Sequence, residues 1–504
     1  MYRTDCARQK IRNGKEVLAR WHSFFRYVAV GTHFLDDFTP SSMQIDQLFP
    51  ELAVLRETFE SGITRDYCWR RSQLLALERF LVEREGEIAA AVHDDFRKSA
   101  AESFLTETGY LRGEIRFALK QLKSWMKPRR VFVPLIYQPS KGSCSREPFG
   151  VVLIIGAWNY PFNLSLAPLI SAIAAGNCAV VKPSEHAPRS SALIAEGLGH
   201  YLDQSAVRVI EGGAEVAKAL LAERFGYIFY TGSLAIGREV MLAAARHLTP
   251  LTLELGGKCP CIVEESSDLK VAARRIVWAK FLNGGQTCLA PDYVLVHEKR
   301  EAELLHHMQE AITDFYGDDP RLSPDYPRIV TMDHFLRLKK LLDGSSVSIG
   351  GRCDQAERYI APTILRGVTP ASPVMQSEIF GPLLPVIAYA RLSDALDMIR
   401  NGKEPLALYL FSSDRNVQEW VVRHSRSGGV CINDLLFQSA LHKLPFGGLG
   451  HSGFGAYHGR AGFETFSFQR TLLNRSLYPD PDLRYPPYSS RKFRFLKRLV
   501  TFFQ

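Results

Sequence analysis

Val151-Val-Leu-Ile-Ile155, running into Gly156-Ala-Trp-Asn-Tyr-Pro161, decides the fold. Five consecutive branched apolar residues without a polar interruption read as a strand buried on both faces, which is what a parallel sheet requires. A helix is predicted from about residue 163, followed by a strand at 178–181. A helix from about 189, a strand at 207–210, a helix near 214–223 and a strand at 227–230 continue the alternation. Strands separated by helical crossovers predict a doubly wound parallel sheet. A second alternating region runs from about 253 to 431, and the glycine-rich stretch 446–455 marks a return to a shared interface. Towards the N-terminus, apolar positions at three- and four-residue spacing predict helices over 47–60, 66–95 and 101–126. Pro128 ends that run, 130–137 reads as a strand, and 138–145 reads as a loop. No internal repeat or low-complexity block occurs.

The 504 residues are 46% hydrophobic and 23% charged, a globular composition that excludes a disordered chain, a collagen and a disulfide miniprotein. The net charge of +9 is unevenly placed. Residues 1–40 carry net +3 and residues 484–504 carry net +6 with no acid, so residues 41–483 are formally neutral. The basic balance therefore belongs to the ends, which argues against a nucleic-acid partner. The nine cysteines are odd in number and scattered, with no CxxC pair, so neither a disulfide framework nor a metal site is indicated. A reducing compartment, the cytoplasm, follows. No apolar run reaches the roughly 18 residues of a membrane span. The basic N-terminal extension, residues 1–44, has no assigned role. An organellar transit peptide there stays open, as does a start at Met43.

Four segments carry chemistry. In Phe281-Leu-Asn-Gly-Gly-Gln-Thr-Cys288 the thiol has Gly and Asn neighbours that permit a tight backbone. Cys288 is a candidate nucleophile; the competing reading is a buried structural cysteine. If Cys288 opens a helix, its N–H helps to stabilise an oxyanion. In Thr252-Leu-Glu254-Leu-Gly-Gly257 an acid sits between leucines, where burial raises its pKa toward that of a general base. The alternative is a strand-end glutamate capping a turn. Asn159, at the carboxyl end of the 151–155 strand, either donates its amide to an oxyanion or shapes the Asn-Tyr-Pro turn. Thr231-Gly-Ser-Leu-Ala-Ile-Gly237 offers a glycine loop for a pyrophosphate, although its spacing departs from the dinucleotide fingerprint. Lys182-Pro-Ser-Glu185 places a cation and an acid at the next strand end; a solvated loop is the plain alternative.

Taken together, these segments resemble the aldehyde dehydrogenase superfamily, in its class 3, fatty-aldehyde-like branch. The resemblance rests on Glu147-Pro-Phe-Gly-Val-Val, Trp158-Asn-Tyr-Pro-Phe-Asn163, Val181-Lys-Pro-Ser-Glu185, Thr231-Gly-Ser, Leu253-Glu-Leu-Gly-Gly-Lys258 and Gly285-Gln-Thr-Cys-Leu-Ala-Pro-Asp-Tyr293. It continues through Glu378-Ile-Phe-Gly-Pro382, Leu444-Pro-Phe-Gly-Gly-Leu-Gly450, Ser452-Gly-Phe-Gly-Ala-Tyr-His-Gly459 and Phe463-Glu-Thr-Phe466, in order over roughly 45–475. It implies an α/β fold with a Rossmann-like doubly wound cofactor domain (45–128 and 149–254) and an α/β catalytic domain (255–432). Residues 433–455 return to the cofactor domain, and a β oligomerisation arm (129–148 and 456–480) makes a homodimer.

The implied site has Cys288 as nucleophile, Glu254 as the base for water, and Asn159 with the Cys288 N–H as the oxyanion site. NAD or NADP would be held by Trp158, Lys182, Glu185, Gly232, Ser233, Gly237, Glu378 and Phe380, with Glu185 influencing the choice between the two. Tyr160 and Phe446 would line the substrate, and no metal is implied. The expected activity is oxidation of medium- or long-chain aliphatic or aromatic aldehydes to acids. The alternatives are a semialdehyde or apocarotenal-type dehydrogenase, or a catalytically silent membrane-binding relative. Finally, 493–503 plotted at about 100° per residue separates Arg494, Lys497 and Arg498 from an aromatic face, as an interfacial anchor would. A peripheral membrane contact through 491–504 is the expectation.

Overall fold

The computed structural model describes residues 42–134 and 137–503. Phe49–Gln504 form one compact unit, and Met1–Leu48 form another that is described only where the first helix begins. The expectations for the N-terminal extension, transit peptide and alternative start therefore lie outside the described residues.

Helices Ser42–Glu60, Tyr67–Glu83 and Glu85–Phe96 open the chain. The single helix expected over 66–95 is two, separated at Arg84. The stretch expected as one helix over 101–126 contains a π-helical turn, Phe104–Thr108, between Ala100–Ser103 and Gly109–Trp125. Of the strand expected over 130–137, Arg129–Val131 is strand among the described residues, and Pro134 cannot donate to a ladder. The loop expected at 138–145 is instead mostly strand: Ser140–Pro148 pairs antiparallel with both Arg129–Val131 and Ser467–Arg475. Its sequence is polar because the three-stranded sheet it forms is largely open to solvent, so no apolar alternation announced it.

The doubly wound sheet is present. Across it lie Gly453–Phe454, Leu251–Leu255, Tyr227–Gly232, Val151–Ile155, Cys178–Lys182 and Val207–Val209. All neighbours are parallel except Gly453–Phe454, which pairs antiparallel with Leu251–Leu255. The strand order reverses between Val151–Ile155 and Tyr227–Gly232, and ligands bind such sheets beyond the carboxyl ends at that point. A seven-stranded sheet follows, ordered Ser346–Ile349, Thr363–Arg366, Leu383–Tyr389, Tyr293–His297, Pro260–Val263, Ala407–Phe411 and Gly429–Ile432. Only its first pair is antiparallel. Its central strands are wholly buried between two apolar layers, which is why they read as continuous apolar runs.

The two sheets meet at opposite ends. Asn159, after Val151–Ile155, and Glu254, at the end of Leu251–Leu255, stand at the carboxyl edge of the first. Cys288 and Glu378, in the turns before Tyr293–His297 and Leu383–Tyr389, stand at the amino edge of the second. Gly453 makes the junction tight: at φ 115° a Cβ there would lie 1.9 Å from the Leu253 carbonyl oxygen. The 14-residue helix Ser490–Phe503 ends the description, where the 100° plot places one. Among the described residues no helix is long and apolar enough to cross a membrane.

Candidate active site

Cys288 lies in a turn after helix Leu269–Phe281 and does not open a helix, so the condition under which a helix would orient its N–H is not met. Helical continuation is broken because Asn283, Gly284 and Gly285 all take left-handed backbone, at φ 52°, 60° and 75°. The donors come from the turn itself: the N–H groups of Cys288 and Leu289 are directed at the Cys288 sulfur. Burial pushes the thiol up to about 12, and the Glu378 and Glu254 carboxylates push in the same direction.

Glu254 is 3% exposed, and neither of its carboxyl oxygens has a partner among the described residues. Burial holds its carboxyl well above the usual range. A strand-end glutamate capping a turn would show a bond to backbone N–H, and Glu254 shows none. The amide of Asn159 donates to the Gln286 carbonyl (3.1 Å), tying it to the turn that carries the thiol. Beside it the Tyr160 hydroxyl is 2.6 Å from Thr287 Oγ1. The structure thus brings Cys288, Asn159, Tyr160 and Glu254 to one junction.

Phe446 pairs through its backbone with Tyr457 and stacks on His458 (centroids 5.4 Å, 17°). Tyr457 in turn feels both Glu254 and Cys288, which puts this aromatic group beside the same junction. His458 is buried, and burial lowers its imidazole to about 4, so it is neutral there.

The remaining residues form a groove along the first sheet. Lys182, 3% exposed, reaches Glu185 at 2.9 Å. Trp158 meets Phe380 edge-on (5.3 Å) and His334 (5.0 Å). Phe380 itself holds φ 49°. Glu378 Oε1 is buried without a partner, and burial, with Asp292 second, raises its carboxyl to about 8. Its other oxygen lies where a Cβ on Gly256 would stand (1.9 Å). Gly232 ends its strand, and Ser233 caps helix Leu234–His247 by accepting from Ile236 N–H. Gly237 does not belong to a loop with them. It sits in the first turn of that helix, where a Cβ would come within 2.7 Å of Leu255, so its absence of side chain serves packing.

Sequence reasoning missed the residues that hold these groups. Asp292 accepts from Ile379 N–H (2.9 Å) and from Lys258, linking the Cys288 and Glu378 turns. Gln286 bridges to Val330 N–H (3.0 Å) and the Arg328 carbonyl (3.1 Å). Lys98, Glu102 and Glu107 are buried under the Asn159 loop. Only their later spatial neighbours mark them, and sequence order hides those.

The aldehyde dehydrogenase family pattern matches residues 58–472. The chain belongs to the aldehyde dehydrogenase family. Among its relatives, aldehyde dehydrogenase family 3 member B1 of Rattus norvegicus is 47% identical over 90% of this chain and 97% of that protein. A Staphylococcus aureus AldH structure in a substrate-bound state superposes with TM-score 0.88 and 41% identity, covering 90% of this chain and 99% of that one. An NAD-dependent aldehyde dehydrogenase from Sinorhizobium meliloti gives TM-score 0.79 and 26% identity over 87% and 88%. The chain is thus an oxidoreductase of the aldehyde dehydrogenase type with the α/β Rossmann-like fold of that family, and its relatives are family 3 members.

Proposed function

We propose that this aldehyde dehydrogenase oxidises medium- or long-chain aliphatic or aromatic aldehydes to carboxylic acids through a thioester on Cys288. The observation that carries this reading is the unpartnered, buried carboxyl of Glu254 at the same junction as the Cys288 sulfur. Cys288 attacks the carbonyl carbon as thiolate. The oxygen then meets the second amide hydrogen of Asn159 and the Cys288 N–H. Loss of hydride from that adduct leaves the thioester, and Glu254 takes the proton from the water that hydrolyses it. Glu254 is the group that makes the product an acid, since without a base the thioester would persist.

NAD or NADP supplies the hydride acceptor when bound. The groove residues fit such a group. Glu378 has a buried acceptor oxygen in want of a donor, as a ribose hydroxyl would supply. The N–H groups after Gly232 and Ser233 open a 14-residue helix and suit a pyrophosphate. Lys182 and Glu185 suit the adenosine ribose, Glu185 disfavouring an added phosphate there, and the Trp158–Phe380 pair flanks the nicotinamide end. Gly237 supports the helix from behind. The substrate lies against Tyr160 and Phe446, an aromatic lining that favours apolar aldehydes. An assay with hexanal, hexadecanal and benzaldehyde, each with NAD and with NADP, tests this. Oxidation of hexanal or benzaldehyde is expected, and activity confined to carboxylate-bearing semialdehydes overturns the substrate class.

The arm and the tail have their own readings. The strand Ser467–Arg475 is a nine-residue sheet edge with Phe468, Leu472 and Leu473 exposed, which supports a homodimer built through the arm 129–148 and 456–480. The tail helix exposes Phe493, Phe495 and Val500 beside Arg494, Lys497 and Arg498, which supports peripheral binding to an anionic membrane from the cytoplasm. Deleting 484–504 is expected to move the enzyme from pelleted anionic liposomes to the supernatant and to spare hexanal oxidation. Equal sedimentation of the two forms rejects the anchor.

A further inference from the structure

Three buried ionisable side chains lie outside the reacting groups, on the segment that runs from the end of helix Glu85–Phe96 through the π-helical turn Phe104–Thr108. Lys98 is 0% exposed, Glu107 0% and Glu102 8%. Each bonds to a loop of the active site. Lys98 Nζ donates to the Asn159 carbonyl (3.4 Å), sits 4.4 Å from the Tyr160 ring centroid and 3.7 Å from Glu107 Oε1. Glu107 Oε2 accepts from Asn163 N–H (2.7 Å), in the first turn of helix Pro161–Ala175. Glu102 Oε1 accepts from Asn283 N–H (2.9 Å). The circuit closes through Asn283, whose amide donates to the carbonyls of Asn159 (2.8 Å) and Gln286 (3.1 Å). The Asn159 amide itself bonds to that same Gln286 carbonyl.

Packing alone does not account for this arrangement. Desolvating three ionisable groups is expensive, and apolar side chains of similar volume would fill the space at lower cost. Burial raises both carboxyls to about 7, and the Lys98 ammonium draws them back. What the cluster holds is also unusual. Asn283 is a non-glycine residue in left-handed backbone, a conformation that costs about 1 kcal/mol and needs its surroundings to fix it. The π-helical turn that carries Glu107 is a rare form, frequent at functional sites.

We propose that Lys98, Glu102 and Glu107 form a clamp of positioning residues that fixes Asn159 and the Asn283–Cys288 turn relative to each other, and so sets the geometry of the oxyanion donors. None of the three touches the substrate. The proposal rests on the roles given to Cys288 and Asn159 above, so its test needs a readout independent of hydride transfer. p-Nitrophenyl acetate provides one, because a thiol nucleophile with oxyanion donors releases p-nitrophenolate from it without cofactor chemistry. Iodoacetamide provides the control, since alkylation needs the thiol but no oxyanion site.

Lys98→Met keeps the length and removes the donor, Glu102→Leu removes the acceptor, and Glu102→Gln keeps a carbonyl oxygen for Asn283 N–H. For Lys98→Met and Glu102→Leu we expect hexanal kcat and the nitrophenolate burst rate to fall together by about 30-fold or more, since loss of one oxyanion donor costs about 10²–10³. NAD affinity and the iodoacetamide rate should stay within about threefold, and Glu102→Gln should retain most of the activity. If Glu102→Leu does not fold, Lys98→Met and Glu102→Gln decide. The clamp is overturned if Lys98→Met leaves the burst and kcat within about threefold. It is equally overturned if NAD affinity and alkylation fall in proportion, which is general loosening. A wild-type enzyme that releases no p-nitrophenolate overturns the reading of Cys288 and the clamp with it, whereas an unchanged release rate in the variants overturns the clamp alone.

Discussion

Cys288→Ala is expected to lower steady-state aldehyde oxidation by on the order of 10⁴-fold or more, the scale seen when a covalent nucleophile is removed. The two cysteines that lie just before and in the neighbouring strand offer no replacement. Cys259 and Cys261 are fully buried in the strand region of the second sheet, and burial raises both thiols well above the usual range. Cys288 is half-buried and borders the core. Removing its sulfur should therefore cost little stability, and NAD affinity should persist because Lys182, Glu185 and Glu378 are untouched. The measurement is reduced-cofactor formation with hexanal, alongside Tm and NAD titration. Turnover above about 1% of wild type, with the fold and NAD binding intact, would sink the nucleophile assignment.

What the sequence disclosed divides along physical lines. Val151–Ile155 and its parallel neighbours were legible because burial on both faces leaves no room for polar residues, so each strand is an uninterrupted apolar run. Cys288 and Glu254 stood out because each is a reactive group set among residues that do not otherwise explain it, and the structure places both at one junction. Ser140–Pro148 was illegible because a strand open to solvent carries no apolar period, and its partner Ser467–Arg475 lies more than 300 residues away. Gly237 reads two ways, because a glycine shortly after a strand end suits a phosphate loop and a helix packed on Leu255 equally, and its place in the helix shows only in the fold. Lys98, Glu102 and Glu107 were missed for a related reason. In sequence they are charged residues among others on helical turns, the usual mark of a solvated face, and their burial depends on Asn159 and Asn283 arriving from distant segments.

Burial limits the charge that the junction itself can carry. Glu254, Glu378 and Cys288 all have acidic protons held back by burial, and each carboxylate opposes ionisation of the thiol. Such a junction can hold only so much negative charge at once, so ionisation of one group is coupled to the others. Charge that enters with a ligand, or leaves when a thiolate becomes a thioester, shifts that balance.

Glu254→Gln should accordingly separate the two halves of the reaction. Cys288 loses an opposing carboxylate, so thioester formation should proceed and release one equivalent of reduced cofactor per site in the first turnover. Hydrolysis then lacks its base, and the steady state should fall by about 10²–10⁴-fold, the range general base catalysis contributes. The pH profile carries the sign of the argument. Because burial raises the Glu254 carboxyl, wild-type deacylation should climb as pH rises and the carboxyl ionises. In Glu254→Gln that climb should vanish, leaving only the slope from hydroxide. Rapid-mixing measurement of cofactor absorbance across pH 6–9 reads the burst and steady state together, and a trapped acyl-enzyme should be visible as added mass on the intact chain. A full steady-state rate without a burst would assign the water to another base and return Glu254 to a structural role.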